Sequence, residues 1–463
     1  MSLDESVDLL HQMLERLVQR TPYAEVMAER QSGLRARLDR RSRNLSERPR
    51  LEGAVFRVWD GDHWAECATS GLGRSELEDS LEGLLPRLGR EGKSGPPPGR
   101  LPDGVGTFRT DTLRAPESLS FEDRMDWLRS AHSWAMSTGA VVETFVSLDE
   151  VTEERLFLSS SGARLSQRLV GVVARVLAVA AEGGRSEQDY LSEGFRGGYE
   201  VLDRIDEPAV REIARGAKAM LGAHKPPLGL STVVLDPSTT GTFAHESFGH
   251  GAEADQVLRG RSYLAPLFGQ QLGPEFLTLV DDGTLPRGWG SIGFDDEGTV
   301  AHRTVLVDHG RFVGYLHDRE TAQVLGGSPT GNARRSDFLS RVFARMTNTF
   351  VEPGDWTREE LLHEARDGVL LEKCVSGIED PLGGNMGLQV LRGRLLRAGE
   401  PGPLVRGMAL SGKVLEFLRS IRGVSRKEDF ALDPGTCGKG STDYLPVSSG
   451  GPYLLGEVVL GEA

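Results

Sequence analysis

The residues best suited to chemistry lie in Ala244-His245-Glu246-Ser247-Phe248-Gly249-His250, which puts two imidazoles and a carboxylate into six residues. Zinc takes neutral imidazole nitrogens at about 2.0–2.1 Å, and a catalytic site needs a carboxylate free to work on the bound water. The spacing is not H-E-x-x-H. Histidines five apart lie about 140° around a regular α-helix, off any common face. One extra residue in the turn, a π-type bulge, brings them to within roughly 50°, and Gly249 and Gly251 would ease that distortion. Taken alone, the motif reads equally well as polar residues on an amphipathic helix with Glu246 solvated. A third ligand decides between the two readings.

Candidates for that ligand are His302, His309 and His317, Asp295 and Asp296 in a hairpin, and Cys437 in Pro434-Gly435-Thr436-Cys437-Gly438-Lys439-Gly440. Glycines on both sides of Cys437 let the backbone approach closely, and Lys439 would favour a thiolate. A His2Cys set would leave the fourth position to water. Cys67 and Cys374 read as small buried hydrophobes. Glu253 and Asp255 follow the motif, where a carboxylate can orient a ligand imidazole or simply stay solvated. His302, His317 and nearby backbone N–H groups are candidate oxyanion donors.

These residues need a scaffold, and composition bounds it. A chain of 463 residues suggests two or three domains. The 58 glycines, at nearly twice average usage, imply many tight turns. A formal charge of −14 argues against nucleic acid and anionic membrane as general partners. Three scattered cysteines point to a reducing compartment, and the N-terminus lacks the basic and apolar regions of a signal peptide, so a cytoplasmic protein is expected.

The expected fold class is α+β, with an N-terminal mixed α/β region followed by a β-rich antiparallel C-terminal domain carrying the metal-binding helix. Periodicity predicts a helix over residues 4–20 with Asp4 as its N-cap, strands over 23–30 and 53–59, and an exposed linker at 92–104. A second α+β segment packing with the first has a helix over 121–138, strands over 140–148, 155–160 and 169–181, and a helix over 208–221. After two prolines come a strand at 230–235, the cap-rich DPSTTG and an antiparallel meander with turns at 280–284, 294–299 and 307–311 and a strand over 312–316. The expected divisions are therefore 1–100, 101–226 and 227–463.

HESFGHGAEAD (245–255) resembles the H-E-x-x-G-H-G-x-E-x-D motif of the TldD/PmbA metallopeptidases, in its metal-binding TldD-like branch. In order, DDGT and RG (281–288), FDDEGT (294–299), GYLHDRETA (314–322), TGNARR (330–335), RMTNTF with EPG (345–354) and DPGTCGK (433–439) are similar to further family segments. Residues 184–200 resemble the N-terminal regions more loosely. SGIEDPLGGNMGLQV (376–390) lacks the family's usual phenylalanines, and GSTDYLPVSSG (440–450) departs from its continuation; both changes bear on the substrate groove.

The resemblance implies a zinc peptidase in which His245, His250 and Cys437 hold Zn2+ and Glu246 is the general base acting on metal-activated water. It implies an extended or unfolded peptide substrate, and a homodimer or a heterodimer with a metal-free paralogue. The alternative is a non-catalytic or regulatory peptide-binding subunit of a two-subunit peptidase assembly.

Overall fold

The structure, a computed structural model, describes all residues except 1, 2, 4, 5, 89–96, 98, 100 and 440–442. The expected N-cap Asp4, much of the expected linker at 92–104 and the first residues of the 440–450 segment lie outside the described residues.

An eight-stranded sheet organises the N-terminal part. Its long strands are Tyr23–Leu38, Glu143–Ser159 and Arg164–Glu182, all antiparallel neighbours. The two strands expected at 140–148 and 155–160 are one, because no glycine or proline interrupts the extended run between them. Successive side chains of a strand face opposite sides. Val26, Ala28, Ala54 and Phe56 accordingly pack under helices Val7–Val18 and Arg74–Leu84, while Met27, Val55 and Phe157 face Phe294 of the C-terminal part. Further along, Val172, Ala174 and Val176 lie under helices Phe121–Met136 and Glu207–Met220. On the other face Val173 meets Trp289 and Leu169 meets Ile292. Burial on both faces explains why this strand reads as a nearly unbroken apolar run.

The C-terminal part holds two six-stranded sheets. One contains strands Gly229–Leu235, Val369–Asp380, Asn385–Arg397, Glu400–Lys413 and Leu454–Glu462. The other contains Leu279–Asp282, Arg303–Asp308, Asn348–Val351, Ala431–Lys439 and Asp443–Gly451. Most pairings are antiparallel; Gly229–Leu235 with Val369–Asp380 and Asn348–Val351 with Asp443–Gly451 are parallel, each joined through long intervening chain. The turn at 307–311 forms as a two-residue hairpin, with His309 at φ 48° and Gly310 at φ 75° as its left-handed pair. The strand expected over 312–316 is confined to Arg311–Phe312.

Buried ion pairs and hydrogen bonds clamp the N-terminal sheet to the C-terminal part. Arg155 reaches Asp296 at 3.0 Å, and Lys373 Nζ donates to Asp189 at 2.5 Å. The Tyr190 hydroxyl donates to the Cys374 carbonyl at 2.9 Å. Among the described residues no helix is long and apolar enough to cross a membrane.

Candidate metal centre

Strand Gly229–Leu235 ends at Asp236, whose carboxylate accepts from the Thr239 N–H at 2.8 Å and caps helix Pro237–Phe243. Its second oxygen accepts from the Lys373 N–H at 2.9 Å, which ties the helix start to the neighbouring strand. Pro237, at the first turn, loses no hydrogen bond there. The helix then widens into a π-helix over Ala244–Gly249 and closes with a 3-10 turn at His250–Ala252. The wider turn is the bulge that five-residue spacing demands, and it brings the His245 and His250 rings to 5.0 Å between centroids.

Gly249 and Gly251 do not serve as conformational hinges. Neither has positive φ, and Gly249 instead admits Met346, whose sulfur would lie 2.1 Å from an added Cβ. Gly377 plays the same spatial role from the facing strand: an added Cβ would meet Glu246 Cγ at 2.3 Å.

Cys437 comes from strand Ala431–Lys439, nearly two hundred residues later in the chain. Its sulfur is 3.4 Å from His250 Nε2, and one donor atom from each of His245, His250 and Cys437 lies within 4.8 Å of the others, all three residues being buried. His245 Nδ1 is buried without a hydrogen-bond partner. Burial raises the Cys437 thiol, but the two imidazoles outweigh it and hold the group well below its ordinary value. Burial lowers both histidines, but Cys437 outweighs it and raises them, His250 strongly. A thiol lowered by two imidazoles that it raises in turn is the electrostatic signature of a donor set that a dication satisfies. The donor types, their convergence and the free nitrogen fit zinc.

Around this trio lies a supporting layer. Glu253, fully buried, places Oε2 3.3 Å from His250 Nδ1, leaving Nε2 of that ring to the cluster. Burial raises Glu253, but Lys439 at 2.8 Å, His250 and Arg345 overcome it and bring its pKa to about 2. Lys439 also pairs with Asp255 at 2.7 Å. Lys439 thus serves the two carboxylates, and the thiolate it was expected to favour is held by imidazoles instead. Arg345 donates to the Cys437 carbonyl at 2.7 Å, fixing the strand that carries the thiol.

The other expected candidates are engaged elsewhere. His302 and His309 are exposed. His317 is packed beside Thr321, with burial pushing its pKa down to about 4. Asp295 accepts backbone N–H groups of Glu297, Thr299 and Ala333, and Asp296 pairs with Arg155. Cys67 accepts from Ser80 at 3.3 Å, and burial raises the Cys374 thiol to about 12, as for inert structural cysteines.

His245 and Glu246 open onto a cavity of about 360 Å³ between the two halves of the molecule. Its walls include Tyr190 and Arg175 from the N-terminal sheet, Thr242, Cys374 and Gly377, and Asp433. Arg175 carries no local sequence signal, since it lies in an ordinary strand, whereas Tyr190 and Asp433 fall in the family-like segments 184–200 and 433–439. Strand Gly229–Leu235 pairs with its neighbour only as far as Leu371, so residues 375–380 run past it alongside the motif. Glu379, on that stretch and also unmarked in the sequence, is pushed up to about 7 by burial and feels both ligand histidines.

Two buried imidazoles, a cysteine and an adjacent carboxylate gather at a cleft, and comparisons with known proteins place the chain among metallopeptidases. The PmbA/TldA metallopeptidase C-terminal domain matches residues 229–459, and the central domain matches residues 114–221. A metalloprotease of Methanothermobacter thermautotrophicus is 37% identical over 74% of this chain and 74% of its own length. One from Archaeoglobus fulgidus is 36% identical over 77% and 82%. The zinc metalloprotease TldD homolog of Saccharolobus solfataricus is 25% identical over 87% and 88%. The fold is shared with TldE from Thermococcus kodakarensis, at TM-score 0.74 and 16% identity over 97% of this chain and 99% of that one. A Thermotoga maritima protein named for DNA gyrase modulation has TM-score 0.80 and 21% identity, over 99% and 100%. The chain belongs to the PmbA/TldD metallopeptidase family.

Proposed function

We propose that the protein is a zinc peptidase that hydrolyses peptide bonds in extended or unfolded peptides, with His245, His250 and Cys437 holding the metal and Glu246 as general base. The convergence of three buried donor atoms beside a carboxylate that opens onto a cleft carries this reading. When bound, zinc supplies Lewis acidity, lowering the pKa of water and polarising a carbonyl. Glu246 takes the proton from the attacking water and returns it to the departing amine nitrogen. Glu253 keeps the His250 ring oriented, and Gly377 leaves Glu246 the room it needs. The stretch 375–380 offers main-chain groups along which an extended peptide can add as a strand, a mode of recognition with little sequence preference.

The second reading, a regulatory subunit in a two-subunit assembly, draws on the fold shared with TldE. Against it stands a complete set of site residues. A homodimer or a heterodimer with a metal-free paralogue fits either reading, and sedimentation of the protein alone and with such a paralogue distinguishes them.

Zinc analysis and peptide cleavage test the proposal together. Purified protein is expected to carry one zinc, Cys437→Ala to lose it, and Glu246→Gln to keep it while kcat falls by roughly 10²–10⁴-fold. Metal-free protein, or cleavage indifferent to Glu246→Gln, removes the catalytic reading.

A further inference from the structure

Among the described residues, the cavity that receives Glu246 and His245 has one arginine and no lysine in its wall, Arg175, contributed by strand Arg164–Glu182 of the N-terminal sheet. The acidic groups lining it are Glu246 and Asp433. Burial raises the Asp433 carboxyl, and its hydrogen bond with Ser238 and the charge of Lys373 oppose the rise. Arg175 keeps 43% of its side chain exposed, and its carboxylate neighbour, Asp149, lies 3.6 Å away. That carboxylate is already shared: Arg35 reaches it at 2.6 Å and Arg48 at 3.2 Å. Arg37 adds a fourth guanidinium, since both Arg37 and Arg175 register opposite Ser147 and therefore project from the same face. Three guanidiniums on one aspartate, with Arg37 on the same face, leave a local excess of positive charge in a chain whose formal charge is −14.

We infer that Arg175 is a specificity-determining residue that recruits a carboxylate of the peptide substrate into the cleft; the inference rests on the peptidase reading for what the bound peptide then undergoes. A guanidinium pairs with a carboxylate through parallel N–H donors, which selects both charge and orientation. Arg175 and Glu246 line the same cavity, so a carboxylate held by Arg175 brings its peptide to Glu246 and anchors it on one side of the scissile bond. The carboxylate is either the peptide's C-terminus, giving cleavage near that end, or an Asp or Glu side chain within the chain.

Binding measured without turnover tests this. Zinc-loaded Glu246→Gln protein is titrated with fluorescent hexapeptides of one sequence, ending in a free carboxylate or in an amide, and with amide-ended peptides carrying Asp or Asn internally. At least one carboxylate-bearing peptide is expected to bind tenfold or more tightly than its uncharged counterpart, and the arm that shows the preference identifies the source. In Glu246→Gln/Arg175→Gln the ratio should fall to near one, and Arg175→Lys should restore part of it, with zinc content and melting temperature verifying the fold. A ratio near one with Arg175 present, or one that Arg175→Gln leaves unchanged, overturns the inference. If the ratio collapses as expected but wild-type protein cleaves none of the peptides, the carboxylate site stands and the peptidase reading falls.

Discussion

Glu253 and Gly377 show how the centre depends on residues beside the donor trio and Glu246. Glu253 holds His250 through Nδ1 while Lys439 and Arg345 neutralise its charge. Glu253→Gln should therefore weaken zinc affinity by about 10–100-fold, read by competition with a chromogenic chelator, with the fold retained. Gly377→Ala should act on the base instead. Its new methyl meets Glu246 Cγ and Thr242 Cγ2, forcing the carboxylate aside. The expected outcome is a full zinc complement with cleavage reduced at least tenfold; unaltered cleavage would show that Glu246 has room to spare. His245, Glu246 and His250 were legible in the sequence because they fall within six consecutive residues and their types suit one chemistry. Cys437 was one of several candidates until the family resemblance singled it out. Arg175 and Glu379 were illegible, because a lone charged residue in a strand looks the same whether it faces solvent or a cleft.

At the level of elements, the π-helix reconciles a five-residue histidine spacing with a shared ligand face. It was inferable because helical geometry offers few ways to bring such residues together. Its position depends on the cap beneath it. Asp236 satisfies both the Thr239 N–H and the Lys373 N–H from a half-buried position. Asp236→Ala strands two buried donors and should cost about 1–3 kcal/mol in urea unfolding, accompanied by weaker zinc retention as His245 loses its register. Loss of stability with zinc affinity intact would detach the cap from the site. Long strands and amphipathic helices fell where periodicity put them, whereas the strand expected over 312–316 shrank to two residues. Phe312 and Tyr315 pack against Phe268 there, and aromatic packing claims those side chains without requiring a ladder.

For the whole molecule, buried acids set the pH response. Burial pushes Glu29 and Glu379 up to about 7, and Asp236 and Asp318 to about 6. An acid raised in the folded state binds its proton more readily than the unfolded chain does, so stability grows as pH falls from about 7 toward 4.5. His317, lowered to about 4, opposes this over the same range. Below about 4.5 the balance turns. Glu253 and Glu297 sit near 2 because cations overcome the cost of burial, Lys439 chiefly for the first and Arg57 for the second. Their contribution is present above about 4.5 and is lost as pH falls toward 2. Melting of the chelator-treated protein should accordingly peak near pH 5 and drop steeply on the acid side; a monotonic fall from pH 8 to 5 would contradict it. What the sequence determined by itself was local or compositional: element type from periodicity, the turn-rich C-terminal half from glycine, and the helical half of the centre from neighbouring residues. What only the tertiary structure decided was which distant side chains meet. Cys437 joins His245 and His250, and Arg175 lines the same cavity as Glu246, because strand pairing and sheet packing bring together chain segments that no local pattern links.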